Sequence, residues 1–200
     1  MEPKREWSIL RLSKTAGVSY AHAYKIVQAL IKMGLCRRAE NYRIMAKVKV
    51  VNPGELLTRW ANVHEYSLMN KISSYYSEEK NVERFLGKLS QVSKKTGLIY
   101  ALTLHAGANL VAPFVRPVDI HFYVKPNEIE AWMKNLKLKP IEFGGNIHLV
   151  EPHDEGVFYG TRKRGGVNVV SNVQLYIDLY NYPARGREAA EHLRRTVIGF

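Results

Sequence analysis

The side chains best suited to recognising or transforming another molecule fall into three groups along this sequence. The first is Ser19, Tyr20, His22, Tyr24, Lys25, Gln28 and Lys32, followed by Arg37, Arg38, Asn41, Tyr42 and Arg43. These are hydrogen-bonding, aromatic and cationic groups, the types that meet base edges and phosphates. The second is Asp119 and His121, two residues apart, with Asp178 further on. Carboxylates on neighbouring strands can hold Mg²⁺ for phosphoryl transfer, but His121 suits that hard ion poorly. No glycine-rich phosphate loop precedes the segment. The third is His148 and His153 with Asp154, a loop pattern without thiolates. None of these makes a complete acid–base or metal constellation, so the sequence assigns no catalytic residue, no metal ligand and no cofactor, and the expected protein is not an enzyme.

The first group needs a helix to present it, and the sequence supplies one. Trp7, Ile9, Leu10 and Leu12 are apolar, Gly17 suits a left-handed helix end, and Ser19 suits the cap of a new helix. From Tyr20 onward, Ala23, Ile26, Val27, Leu30 and Ile31 follow the spacing of one buried face, and Gly34 closes the helix. Two helices joined by a short turn containing Gly are a helix-turn-helix. Two strand-like runs then flank Ala39-Glu40-Asn41, predicting a basic hairpin that carries Arg37, Arg38 and Arg43. A helix-turn-helix followed by such a hairpin is a winged helix, its second helix directed at the major groove and its wing at the backbone or minor groove. The plainer reading is a small helical subdomain with a solvated basic face.

Composition supports a polyanionic partner. The 200 residues carry 30 Lys and Arg against 18 Asp and Glu, a net charge of +12. Residues 1–50 hold eleven basic and three acidic side chains, a net of +8, so most of the excess lies in the first quarter of the chain. Hydrophobic residues make up 46% and charged residues 24%, which excludes a wholly disordered chain. No apolar run approaches the ~20 residues of a membrane span, and the first residues are no signal peptide, so a cytoplasmic, nucleoid-associated protein is expected. The single cysteine, Cys36, excludes an internal disulfide framework and a zinc finger. Arg37 and Arg38 beside it suit a redox switch, but a small buried hydrophobe serves that place equally well.

Beyond Val51 the pattern mixes helices with short strands. Asn52-Pro53-Gly54-Glu55 starts a helix, with Asn52 as its cap, Pro53 at the first helical position, and Leu56, Leu57, Trp60 and Ala61 on its apolar face. Ser73 to Tyr76 reads as extended, and Ser77 as the cap of a long helix buried through Phe85, Leu86, Leu89 and Val92 and ended by Gly97. A strand and a buried helix fit 98–112, a strand 118–124, and a helix 127–136. Short strands are expected at 147–150, 156–159 and 167–170, then a helix over 172–180 capped by Ser171, and a last helix over 186–197. Arg162-Lys163-Arg164-Gly165-Gly166 reads as a basic turn. The whole is α+β, divided into a winged helix-turn-helix at 1–51, a linker helix and connection at 52–76, and an α+β domain at 77–200.

The segment from Trp7 to Gly34, with Gly17-Val18-Ser19, resembles the winged helix of archaeal and bacterial regulators related to AbiEi-type antitoxins. The same group is matched by Leu56-Leu57-Thr58-Arg59-Trp60-Ala61, by Tyr100 to Thr103 and on to Pro113, by Val170 to Leu179, and by Arg185 to Ala190. The resemblance implies a DNA-binding regulator whose C-terminal domain is similar to a nucleotidyltransferase fold that has lost its catalytic residues, which the Asp119-Ile120-His121 sequence fits. It also implies a place in type IV toxin–antitoxin systems, where such a protein represses its own operon and opposes a toxin. The leading expectation is therefore a sequence-specific regulator of double-stranded DNA acting as a homodimer on paired half-sites. The competing ones are a nucleotidyltransferase-like enzyme acting on nucleotide or RNA, and a winged-helix module that binds protein or RNA.

Overall fold

In a computed structural model of the chain, residues 5–39 and 47–200 are described. The chain divides into two compact units, Met1–Trp60 and Ala61–Gly199. The first opens with a two-residue strand, β1 (Trp7–Ser8). Ser8 caps helix α1 (Ile9–Ala16) by accepting a hydrogen bond from the Arg11 backbone N–H at 3.2 Å. Gly17 ends α1 at a φ of +66°, a conformation a Cβ would strain, and the chain turns at once into α2 (Tyr20–Lys32). The Ser19 hydroxyl caps α2, accepting from the His22 N–H at 3.1 Å. Strands β2 (Cys36–Arg38) and β3 (Lys47–Val50) follow, and the three strands form an antiparallel sheet with β3 in the middle.

Ile9, Ala23, Val27 and Val48 form the core of this unit, with Trp7, Leu12 and Ile31 packed around it. Helix α2 therefore buries a narrower stripe than its sequence pattern predicts, and Ile26 is left 46% exposed. The return strand of the hairpin is Lys47–Val50, pairing Cys36 with Val50 and Arg38 with Val48. The expected second run of the hairpin and its turn, at Glu40 to Met45, lie outside the described residues. Cys36 is buried in β2, and burial pushes its thiol pKa up, which suits the hydrophobic reading rather than a reactive switch. Asn52 does not use its side chain as expected at the start of α3 (Pro53–Val63), but donates its amide to the Gly34 carbonyl at 2.9 Å. Leu57 and Ala61 are buried, while Trp60, expected with them, is 43% exposed.

The second unit is built on a seven-stranded mixed sheet. Its elements in chain order are α4 (Tyr66–Met69), β4 (Lys71–Tyr76), α5 (Val82–Thr96), β5 (Tyr100–Leu102), α6 (Leu104–Asn109), β6 (Ile120–Val124) and α7 (Ile129–Leu136). There follow β7 (Lys139–Pro140), β8 (Ile147–Glu151), β9 (Arg162–Arg164), β10 (Val167–Val169), α8 (Asn172–Tyr180) and α9 (Gly186–Leu193). The strand order is β7-β4-β8-β6-β5-β10-β9, with β6 parallel to β8 and β5 parallel to β10. All five residues of β6 are buried, as expected of a central strand covered on both faces. On one face Phe122 meets Tyr100 and Trp132 edge to face; on the other Tyr123 meets Tyr66 and Asp178. This is a mixed α+β architecture.

Three local expectations are corrected. Helix α5 starts at Val82 under an Asn81 cap, not at Ser77, because Ser77 is clamped elsewhere. Its N–H donates to Asn146 Oδ1 at 2.8 Å, and its carbonyl accepts from Asn146 Nδ2 at 3.1 Å. The strand expected at 156–159 is a 3₁₀ turn, Glu155–Phe158, begun by Asp154 accepting from the Gly156 N–H at 2.7 Å. The basic turn at 162–166 is an edge strand and hairpin, its three cations exposed along an edge where charge discourages further pairing.

Candidate nucleic-acid interface

Helix α2 is short of core contacts on most of its circumference, and beside Ile26 it exposes most of the predicted side chains. Tyr20, His22, Tyr24, Lys25 and Lys32 are exposed and Gln28 is half-buried. Lys25 and Lys32 are seven residues apart, two helical turns, so they stand on one outward line. Tyr20 and Tyr24, one turn apart, stack with ring centroids 6.4 Å from each other. Ser19 is exposed, with its hydroxyl already engaged as the helix cap. Arg37 and Arg38 are exposed on β2, where Arg37 stands opposite Lys49. Asn41, Tyr42 and Arg43 lie outside the described residues.

The ionisable residues of the second unit regroup relative to their grouping in the sequence. Asp178 is fully buried and does not join Asp119. Its carboxylate accepts from Gln174 Nε2 at 2.8 Å, from Tyr123 Oη at 3.1 Å and from Thr103 Oγ1, and it faces His64 Nε2 at 2.9 Å. Burial, reinforced by the Asp178 charge, pushes the Tyr123 and Tyr66 hydroxyls far above the usual tyrosine range, so both remain neutral. Thr103 lies between β5 and α6, and α6 lies very close to both β5 and α8. A Cβ on Gly107 would come within 3.1 Å of the Leu102 carbonyl oxygen and 2.9 Å of Leu175 Cδ2.

Sheet register brings together a different set. His121 on β6 is directly opposite His148 on β8, which is opposite Ser74 on β4. Asp119, two residues before His121, falls on the same face. The two imidazoles stack with centroids 4.1 Å apart, and Asp119 Oδ2 is 3.5 Å from His121 Nε2 and 3.7 Å from His148 Nε2. His121 Nδ1 faces the Tyr66 hydroxyl at 3.3 Å, and His148 Nδ1 faces Ser74 Oγ at 3.0 Å. Burial and the neighbouring His121 push the His148 pKa down to about 4. Burial also raises Asp119, but the His121 ring against it and the surrounding imidazoles outweigh that and hold its carboxyl below the usual range. His153 and Asp154 do not join His148: the His153 N–H donates to Asn70 and Asp154 starts its own turn. Sequence reasoning missed the trio because the link between 119–121 and 148 is a strand pairing, and no spacing along the chain reports it.

Among the described residues no helix is long and apolar enough to cross a membrane. A family model described as "Transcriptional regulator, AbiEi antitoxin, Type IV TA system" matches residues 49–198. That span runs from the end of β3 through α9, and α1 and α2 precede it. No curated protein matches the chain, and no solved structure does.

Proposed function

The chain belongs to the AbiEi antitoxin family of transcriptional regulators, and from that premise we propose that it is a sequence-specific binder of double-stranded DNA that represses its own operon. The first unit is read as a winged helix. Tyr20, His22, Tyr24, Lys25, Gln28 and Lys32 of α2 face the major groove, with Ser19 at the helix entry. Arg37 and Arg38, with Asn41, Tyr42 and Arg43 after them, grip the flanking backbone or minor groove. The observation that carries this reading is the outward face of α2, an exposed row of cations and hydrogen-bonding side chains that immediately follows a tight helix-turn-helix corner. One such unit reads a short half-site, so the active form is a homodimer on paired half-sites.

The second unit is read as a nucleotidyltransferase-like fold without transferase chemistry. Asp178, the carboxylate that would complete a set with Asp119, is consumed by four buried partners. The toxin of the system is the expected functional counterpart, with or without direct contact. The test compares binding of the full chain to duplex DNA from its own promoter with binding to a scrambled duplex across a salt series. A preference of roughly a thousandfold or more for the promoter is expected. Equal affinity for both duplexes at every salt concentration overturns the proposal.

A further inference from the structure

We propose that Asp119, His121 and His148 form a binding site for one late first-row divalent metal ion, with Zn²⁺ as the best fit. The proposal stands apart from the DNA reading and on different residues. Among the described residues this is the one group of three in which an imidazole or carboxylate ligand atom from each lies within 4.8 Å of the others. In a tetrahedral site with bonds of about 2.0–2.1 Å, neighbouring ligand atoms stand roughly 3.3 Å apart. The two distances from Asp119 Oδ2, 3.5 and 3.7 Å, are within a few tenths of that. The same distances are too long for good hydrogen bonds. Asp119 thus faces both imidazoles at ligand spacing, and the two imidazole ligand atoms lie within 4.8 Å of each other.

The surroundings argue the same way. Each imidazole turns its Nδ1 outward to a hydroxyl, Tyr66 for His121 and Ser74 for His148. A metal-bound histidine holds its other ring nitrogen in this manner, which fixes the tautomer and leaves Nε2 as the ligand. With Nδ1 protonated, two Nε2 lone pairs and a carboxylate oxygen converge, and the Tyr182 hydroxyl faces His121 Nε2 only at a long 3.4 Å. Such a convergence of acceptors is relieved by a cation. A third imidazole, His105, packs edge to face on Tyr182, as His121 does, is only 7% exposed, and has no hydrogen bond of ordinary geometry at either ring nitrogen. A cluster of two imidazoles and one carboxylate, with His121 buried and the other two partly so, suits zinc and its neighbours and disfavours Mg²⁺, which takes oxygen ligands. The imidazoles are stacked in the ion-free arrangement, and closing on an ion turns each ring about χ2, a broad and soft torsion. Three protein ligands leave one coordination position for water or an anion.

The test uses the full chain, stripped by chelator and titrated with Co²⁺ as an optical stand-in and with Zn²⁺. One Co²⁺ per chain is expected, with the intense visible absorption of a four-coordinate site, displaced by one equivalent of Zn²⁺. His148→Gln and Asp119→Asn are expected to lose the band, and Ser74→Ala to weaken Zn²⁺ binding about tenfold or more. Near-UV circular dichroism checks that each variant is folded. X-ray absorption of the zinc-loaded wild-type chain needs no variant and is expected to show two imidazoles in the first shell. Absence of saturable Co²⁺ and Zn²⁺ binding overturns the proposal, as does wild-type binding by folded His148→Gln, or a zinc shell with fewer than two imidazoles.

Discussion

Asp178 shows what a single side chain can do in the interior of the second unit. With no exposure to solvent, its carboxylate is held by Thr103, Tyr123, Gln174 and His64, which come from four separate segments of the chain. A buried charge is tolerated only where its lone pairs are filled, and here each oxygen has two partners. Removing it strands four polar groups at once. Asp178→Ala is therefore expected to destabilise the chain by about 3–5 kcal/mol, read from urea unfolding followed by the fluorescence of buried Trp132. A loss under 1 kcal/mol in that measurement would show the network to be dispensable. The sequence groups Asp178 with Asp119 and His121 as a candidate ligand, whereas the structure gives it a buried structural role. What the sequence does not mark is the number of partners, because His64 and Thr103 are 114 and 75 residues away.

At the scale of elements, close approach decides as much as polarity. Helix α6 rests on β5 with glycine as the contact, and an alanine methyl at 107 would meet backbone atoms of Leu102 that have nowhere to go. Gly107→Ala is expected to cost about 1–3 kcal/mol and to lower the thermal midpoint, whereas an alanine at the open position 87 of α5 is expected to be neutral or stabilising. Equal melting of the two variants would remove the close-packing argument. The elements themselves were largely legible in the sequence where caps and periodicity agree: Gly17 with Ser19 around the corner into α2, Ser171 before α8, and Gly97 after α5. Legibility fails where a distant partner takes over a local signal. Ser77 looks like a cap until Asn146 binds its backbone, and Asn52 looks like one until Gly34 takes its amide. The exposed polar row of α2 was readable because its chemistry lies within thirteen consecutive residues; the Asp119–His121–His148 trio was not, because strand register assembles it.

For the whole molecule the governing quantity is where the charge sits. Residues 1–50 hold a net +8, while the following 150 hold only +4. The second unit has its own exposed cationic row, Arg162-Lys163-Arg164 on the edge strand β9, so a generally basic protein and a directed one make different predictions. If attraction to DNA were only a matter of total charge, neutralising either row would flatten the salt dependence alike. If α2 is the element that meets phosphate and base, only its cations count, and each phosphate contact removed lowers the slope of log affinity against log salt by about 0.9. The double variant Lys25→Ala with Lys32→Ala is expected to lower that slope by about two where both lysines meet phosphates, and the triple variant Arg162→Ala, Lys163→Ala, Arg164→Ala to leave it unchanged. Measuring both slopes on the promoter duplex separates the two cases. An equal loss in the two variants would assign DNA attraction to the net charge of the molecule, and an unchanged slope in the double variant would take α2 off the DNA.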